Sequence, residues 1–414
     1  MDHIGYFVLL QSSPICMVKL CYSFTLLVTI SESYFFMVNK EKITISLSAN
    51  TSWYLYNFRQ STIKTFLNLN YDVICISPKD EFTADLENLG CKCIHLKMNN
   101  KGTNPFQDIL IVFKLFYLYV KYRPKAAFHF TIKNNIFGTW AALISNTPSI
   151  NNVSGLGTAF IREGLISKIV RLLYKCSQPF AHRVYCQNSE DFDLLIDKKL
   201  VNKNKLFLLP GSGVDLKRFN LDSVNYSKNE QFTFLYVGRI LADKGLFELI
   251  EAYNNLKIKK INCELWICGI LNSENISSIS KAQIEDWKDI AGIKWLDPEK
   301  YIENIYKQVH CVVLPSYREG MPKTLLEAGS MGLPSVATNV PGCRNIIQDN
   351  VNGFLCRAKD ARNLEQAMIK VLNLSRNDYK KMSINARNIV KNNFDEKIVI
   401  DSAIEALDSI SKNN

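Results

Sequence analysis

No stretch of this chain offers the ~20 consecutive apolar residues that a membrane-crossing helix needs. The cleanest apolar run, Leu20 to Ile30, is about half that length. Metal-site spacing is missing too. Twelve Cys and five His lie scattered through 414 residues, and the one close pair, Cys91 and Cys93, is not spaced like zinc ligands. Most Cys fall inside apolar runs such as DVICIS (72–77), as buried thiols of a reducing compartment do. Glycine and proline are sparse, at 18 and 12, which excludes a fibrous or low-complexity chain. No unit of about 20–50 residues repeats. No basic run is interleaved with aromatics, so nucleic acid is not an expected partner. The first strand lacks a Gly-x-Gly-x-x-Gly turn, which argues against a dinucleotide-dependent oxidoreductase.

What the chain does have is enough apolar residue, 47%, to build large cores without staples, and a net charge of +11. The charge is lopsided. Residues 1–222 hold 25 Lys and Arg against 16 Asp and Glu, a net of +9, whereas 223–414 hold 25 against 23. A basic first half calls for an anionic partner. Residues 1–36 carry only Asp2, Lys19 and Glu32 as charges, without the basic start of a signal peptide. Met37 opens VNKEKITISLS, which has the form of an ordinary N-terminus entering a first strand. The expectation is that residues 1–36 come from an over-extended start, with a membrane anchor as the alternative.

From residue 43, short β-branched runs alternate with longer amphipathic segments. Strands are expected at 43–48, 72–77, 91–96, 125–130, 148–153, 182–187 and 205–210, with helices such as 53–69, 105–122 and 160–180 between them. Near-continuous apolar strands separated by helices indicate a parallel sheet covered on both faces. The polar stretch 211–231 reads as a linker. The alternation then restarts, with strands at 232–238, 262–269, 292–296, 310–315, 334–339 and 353–357, and helices at 243–258, 322–331 and 360–373. The expected fold is α/β, with two Rossmann-like doubly wound domains facing a central cleft. Its parts are an extension (1–42), an N-terminal domain (43–215), a C-terminal domain (216–392) and a C-terminal helix (393–414). Ligands of such sheets bind at the strand C-terminal ends.

The most informative stretch is PSYREGMPKTLLEAGSMGLPSVATNVPG (315–342). Glu319 and Gly320 fall in a loop after a strand, and Glu327 falls inside the following helix. Amides near Met321–Thr324 form a helix N-terminus that suits an anion, and Gly320 lets backbone approach a ligand closely. Two carboxylates beside a phosphate seat suit a ligand rich in hydroxyls. In VGRILADKGL (237–246), Gly238 leads into Arg239 and Lys244, two cations near a helix start. The helix dipole disfavours them there unless a diphosphate neutralises both.

VGRI…DKG, the 315–342 stretch and PGSGVDLKRF together resemble the nucleotide-sugar glycosyltransferases of family 4, which have the GT-B architecture. The resemblance covers about 43–405. NTSWYLYNFR, KGTNPF, FHFTIKNNIFG and NNVSGLGTAF resemble the branch acting on lipid-linked oligosaccharides of bacterial surface polysaccharides or glycoproteins. The resemblance implies that Arg239 and Lys244 hold the donor diphosphate, that Glu327 binds ribose hydroxyls, and that Glu319 with the Gly320–Met321 backbone holds the sugar. It implies retaining, metal-independent transfer of a hexosyl or N-acetylhexosaminyl group, with a UDP-sugar as donor and no cofactor. Many relatives place a His near the sugar's C6. The candidate here is His129, with Lys133 beside the next helix start. Asn50 and Thr51, in a loop where relatives carry glycines, are acceptor-side candidates. In the second domain Gly269-Ile270-Leu271 replaces the usual Gly-x-Gly. The rivals are a nucleotide-sugar epimerase or sugar phosphorylase of the same architecture, and a non-catalytic nucleotide-sugar-binding scaffold.

A lipid-linked acceptor, with polyprenyl diphosphate as its carrier, requires the first domain to reach an anionic membrane surface. The segments 105–123 and 164–183 combine Lys114, Lys121, Lys168, Arg171 and Lys175 with apolar and aromatic residues. The resulting expectation is a cytoplasmic protein held peripherally at the inner face of the cell membrane.

Overall fold

The computed structural model describes residues 42–98, 105–155, 164–220, 231–271, 277–299 and 301–411. The expectation for residues 1–36 lies outside them. So do parts of KGTNPF, NNVSGLGTAF and the 211–231 linker.

Strands β1 (Thr44–Ser48), β2 (Asp72–Ser77), β3 (Lys92–His95), β4 (Ala126–Phe130), β5 (Ser149–Val153), β6 (Arg183–Cys186) and β7 (Leu206–Leu208) form one parallel sheet, in the order β3-β2-β1-β4-β5-β6-β7. Strands β8 (Phe232–Ile240), β9 (Cys263–Leu271), β10 (Ile293–Leu296), β11 (Cys311–Leu314), β12 (Ser335–Thr338) and β13 (Gly353–Cys356) form a second, in the order β10-β9-β8-β11-β12-β13. Every residue of β4, β5, β11 and β12 is buried, so β11, Cys-Val-Val-Leu, reads as an unbroken apolar run, whereas β5 buries the polar Asn151 and Asn152 as well. In each sheet the strand order reverses beside the first strand, at β1/β4 and at β8/β11, and this opens a crevice at the strand C-terminal ends.

The helices that shape the site are α1 (Ser52–Asn68), α2 (Pro105–Tyr122), α3 (Thr139–Ile144), α4 (Leu165–Ser177), α5 (Ser189–Asp197), α6 (Leu246–Ile258), α7 (Lys323–Ser330), α8 (Arg376–Asn393) and α9 (Glu396–Ser411). Local chemistry sets their starts. Thr51 Oγ1 accepts the Tyr54 N–H at 3.1 Å, and Asn188 Oδ1 accepts the Asp191 N–H at 2.7 Å, so both residues cap helices that open toward the crevice. α6 starts three residues later than expected. Gly245, at φ 73°, breaks the backbone after a single 3₁₀ turn, and a Cβ there would lie 2.1 Å from the Pro315 carbonyl oxygen.

The C-terminal tail forms two helices, the second within the 393–414 stretch expected to be helical. α8 packs on α7, with Gly329 admitting Val390, and then the chain crosses back at Phe394–Asp395. α9 joins the core of the first sheet through Val399, Ala403, Ala406, Leu407 and Ile410. The return crossing lies against the outgoing one. Val214 pairs with Asp395, and Gly213, at φ 68°, leaves no room for a Cβ beside Glu396. The two connections between the halves therefore run side by side.

Candidate active site

A cavity of about 1590 Å³ separates the C-terminal ends of the two sheets and is lined from both halves. Of the residues expected to act, Gly238, Arg239, Lys244, Glu319, Gly320, Met321 and Glu327 line it, as do Asn50 and Thr51 across the gap. Arg239 lies not in a loop but in β8, because β8 and β9 stay paired as far as Ile240 and Leu271. This pairing is tight. A Cβ at Gly269 would come within 2.3 Å of the Gly238 carbonyl oxygen, so the residues replacing Gly-x-Gly are ladder residues that also form cavity wall.

Lys244 and Glu319 meet. The Lys244 Nζ donates to Glu319 Oε1, which also accepts from Ser316 Oγ at 2.7 Å. Arg239, by contrast, is exposed and has no ion pair among the described residues. Glu327 sits deeper, on α7, where Oε2 accepts from Tyr306 Oη at 3.0 Å and Oε1 lies 3.7 Å from Lys323 Nζ. Burial pushes its carboxyl above the usual value, although Lys323 and the Tyr306 hydrogen bond pull the other way.

The loop bearing Glu319 is held from the opposite half. Arg318 Nη2 donates to Asp191 Oδ1 at 2.8 Å, and Asn188 Nδ2 donates to the Gly320 carbonyl at 3.0 Å. A Cβ on Gly320 would lie 2.5 Å from the Ser154 carbonyl oxygen, and Ser154 Oγ in turn meets Tyr54 Oη at 2.5 Å. Gly342, at φ 82°, supports the loop from behind, 2.6 Å from the Gly320 oxygen when a Cβ is placed on it. Gly320 is thus needed where two backbones close on each other. Asp191 also opens an Asp-x-Asp triplet, Asp191-Phe192-Asp193, a pattern associated with metal-held diphosphates. Here its first carboxylate is 1% exposed and committed to Arg318 and Asn188.

Two expectations fail. His129 does not reach the cavity. It is fully buried, with Nε2 at 2.9 Å from Tyr119 Oη and Nδ1 at 2.8 Å from Asn151 Oδ1, against Gly138, where a Cβ would strike the ring. Desolvation lowers its pKa to about 4, so the ring is neutral near pH 7. Lys133 also stays out of the cavity and pairs with Asp108 at 2.6 Å. The residue of this segment that does line the cavity is Thr131, one past the end of β4, at φ 73°. A β-branched residue in that region is strained. Nothing in the sequence marks the strain. Tyr54, Ser154, Lys323 and Glu299 also line the cavity.

The sequence profile described as "Glycosyl transferases group 1" matches residues 217–389, and that described as "Glycosyl transferase 4-like" matches 44–188. The chain is a glycosyltransferase of the family 4 type. It is 28% identical over 381 residues, 87% of this chain and 96% of the relative, to an N,N'-diacetylbacillosaminyl-diphospho-undecaprenol alpha-1,3-N-acetylgalactosaminyltransferase of Campylobacter jejuni. It is 27% identical over 342 residues, 80% of this chain and 88% of the relative, to the capsular polysaccharide biosynthesis glycosyltransferase CapM of Staphylococcus aureus. Among solved structures, a glycosyltransferase of Rickettsia africae aligns with a TM-score of 0.73 at 20% identity, over 90% of this chain and all of that one. Anabaena HepE in complex with UDP-glucose aligns with a TM-score of 0.73 at 16% identity, over 89% of this chain and all of that one. These two likenesses establish for this glycosyltransferase the GT-B arrangement of two parallel sheets.

Proposed function

We propose that this glycosyltransferase moves a hexosyl or N-acetylhexosaminyl group from a UDP-sugar to a saccharide carried on a polyprenyl diphosphate, with retention at the anomeric carbon, in surface polysaccharide synthesis. The observation that carries the reading is the set of Arg239, Lys244, Glu319 and Glu327 around one cavity, on the β8 and β11 strand ends and the α7 N-terminus. Arg239, Lys244 and the α7 amides bind the diphosphate. Glu327, on the cavity wall, accepts the ribose hydroxyls. The Lys244–Glu319 pair gives the donor a way to assemble its own site. Diphosphate oxygens draw the Lys244 ammonium away, and the freed Glu319 oxygen accepts a sugar hydroxyl. The acceptor hydroxyl enters from the side of Asn50, Thr51 and Tyr54, in the 43–215 domain, and the donor occupies the 216–392 domain.

In the transfer, the bond from the anomeric carbon to the diphosphate oxygen breaks and the acceptor oxygen bonds to that carbon on the same face. The acceptor's proton passes to the departing phosphate. Arg239 and Lys244 stabilise the charge that develops there, a role worth on the order of 10²–10³ in rate. The names of the Campylobacter relative and of an Escherichia coli UDP-Gal:alpha-D-GlcNAc-diphosphoundecaprenol alpha-1,3-galactosyltransferase at 27% identity support the carrier, the latter supports a UDP-linked donor, and the Staphylococcus relative supports surface polysaccharide synthesis.

Thermal melting with UDP, UDP-sugars, GDP-mannose and ADP-glucose tests the donor site. A ligand at 100 times its Kd adds about 2.7 kcal/mol, so a uridine-specific shift that disappears in Glu327→Ala is expected. No shift with any nucleotide would remove the donor site from the account.

A further inference from the structure

The cavity wall continues outward along α2. Gln107, Leu110, Ile111 and Lys114 of this helix line the cavity. Its outer side carries Ile109, Leu110, Phe113, Tyr117 and Val120 on the protein surface, with Phe113 64% and Tyr117 60% exposed. Their spacing keeps them in one stripe along the helix. Folding does not require them, because Ile111, Leu115 and Tyr119 already bury the inner side of α2 in the core. α3 packs beside α2, and α2 and α4 both pack on the π-helical turn Asn134–Gly138. Leu143 and Ile144 of α3, with Ile169 and Leu172 of α4, are exposed as well. An apolar surface spread over three neighbouring helices marks a contact site.

The charges around it choose the partner. α2 and α4 carry Lys114, Lys121, Lys168, Arg171 and Lys175 against a single acid, Asp108, which is paired with Lys133. A second copy of the chain would bring like charges together. Anionic lipid headgroups complement them, with aromatic and aliphatic side chains entering the acyl boundary beneath.

We propose that the outer face of α2, extended by α3 and α4, inserts into the surface of an anionic bilayer and so sets the cleft at headgroup level. This deepens the proposed function and rests on its lipid-linked acceptor. Leu110 belongs both to the stripe and to the cavity, so an acceptor whose tail stays in the bilayer can place its saccharide in the cleft.

The test is co-sedimentation of the full chain with phosphatidylglycerol-containing vesicles and with phosphatidylcholine vesicles. Binding to the anionic vesicles alone is expected, weakening as salt rises from about 0.05 M to about 0.5 M. The triple variant Ile109→Ser, Phe113→Ser, Tyr117→Ser should partition at least about tenfold less, with unchanged melting and an unchanged shift on adding UDP. Lys121→Glu with Lys168→Glu should weaken binding by a smaller factor and flatten its salt dependence. Wild type that ignores anionic vesicles would overturn the proposal. So would a triple variant that binds as wild type does, which would place the attachment elsewhere, the first 36 residues included. A wild-type dimer that the triple variant converts to monomer would also overturn it, by assigning the face to a second copy. Absence of the UDP shift in wild type would count against the donor reading and leave the vesicle result to be judged separately.

Discussion

Glu327 shows how a carboxylate on the cavity wall can weaken the fold. Its pKa is raised by burial from an ordinary value of 4.5, so the folded chain holds this proton more tightly than the unfolded chain does. A group shifted in that direction favours folding at low pH, and the advantage is lost as pH rises through its folded pKa. Glu327→Gln should therefore melt no lower than wild type near pH 7, and any gain should vanish below pH 4.5, while nucleotide-induced stabilisation is lost. Melting curves across pH, with and without UDP, check both halves of this prediction. His129 has the opposite sign. Its pKa falls from 6.5 to about 4, so the unfolded chain binds more protons between those values and stability declines as pH drops through the window. The penalty is about 3 kcal/mol at the acid end. His129→Gln should flatten the pH dependence of unfolding there while sparing nucleotide binding. A loss of transfer with intact folding would return His129 to the reacting groups.

At the scale of elements, the loop 316–320 is the part whose position matters most, and both halves hold it. Gly320→Ala would drive a Cβ against the Ser154 carbonyl oxygen and keep the halves from meeting. Turnover should fall by at least tenfold, about 1.4 kcal/mol, with UDP affinity little changed. Asp191→Asn keeps the shape but removes the charge facing Arg318. It should lower turnover while leaving UDP binding intact, and its effect should shrink when Arg318 is also replaced. Additive losses in that double-mutant cycle would show that the two residues do not act as a pair. The strands around this loop were legible because they are buried on both faces and read as apolar runs. That same burial hid which side each residue faces. Nothing in AAFHF says that His129 points into the core and that Thr131, beyond the strand, reaches the cavity.

At the scale of the molecule, the cavity wall supplied by the second sheet was legible in the sequence because its residues are neighbours along the chain, within 237–246 and 315–342. Most of the wall across the gap and the bonds that hold the loop from the first half were not. Asn188 meets Gly320 across 132 positions, and Asp191 meets Arg318 across 127, pairings that no local pattern announces. The return of α9 to the first sheet was hidden for the same reason, since its apolar face looks alike whichever core it joins. The side-by-side crossings at Val214 and Asp395, with the Arg318–Asp191 and Asn188–Gly320 bonds, tie the two halves together. Ser154, bonded to Tyr54, meets the 316–320 loop at Gly320.

The central claim is acceptor-dependent transfer with retention. The direct measurement is UDP release from a UDP-sugar with and without a polyprenyl-diphosphate-linked saccharide, together with the anomeric configuration of the product by NMR. The account predicts release that depends on the acceptor, a product with the donor's own anomeric configuration, and loss of both in Arg239→Ala. Inverted configuration would contradict the proposed path of the proton, and nucleotide binding without any transfer would leave a nucleotide-sugar scaffold in place of an enzyme.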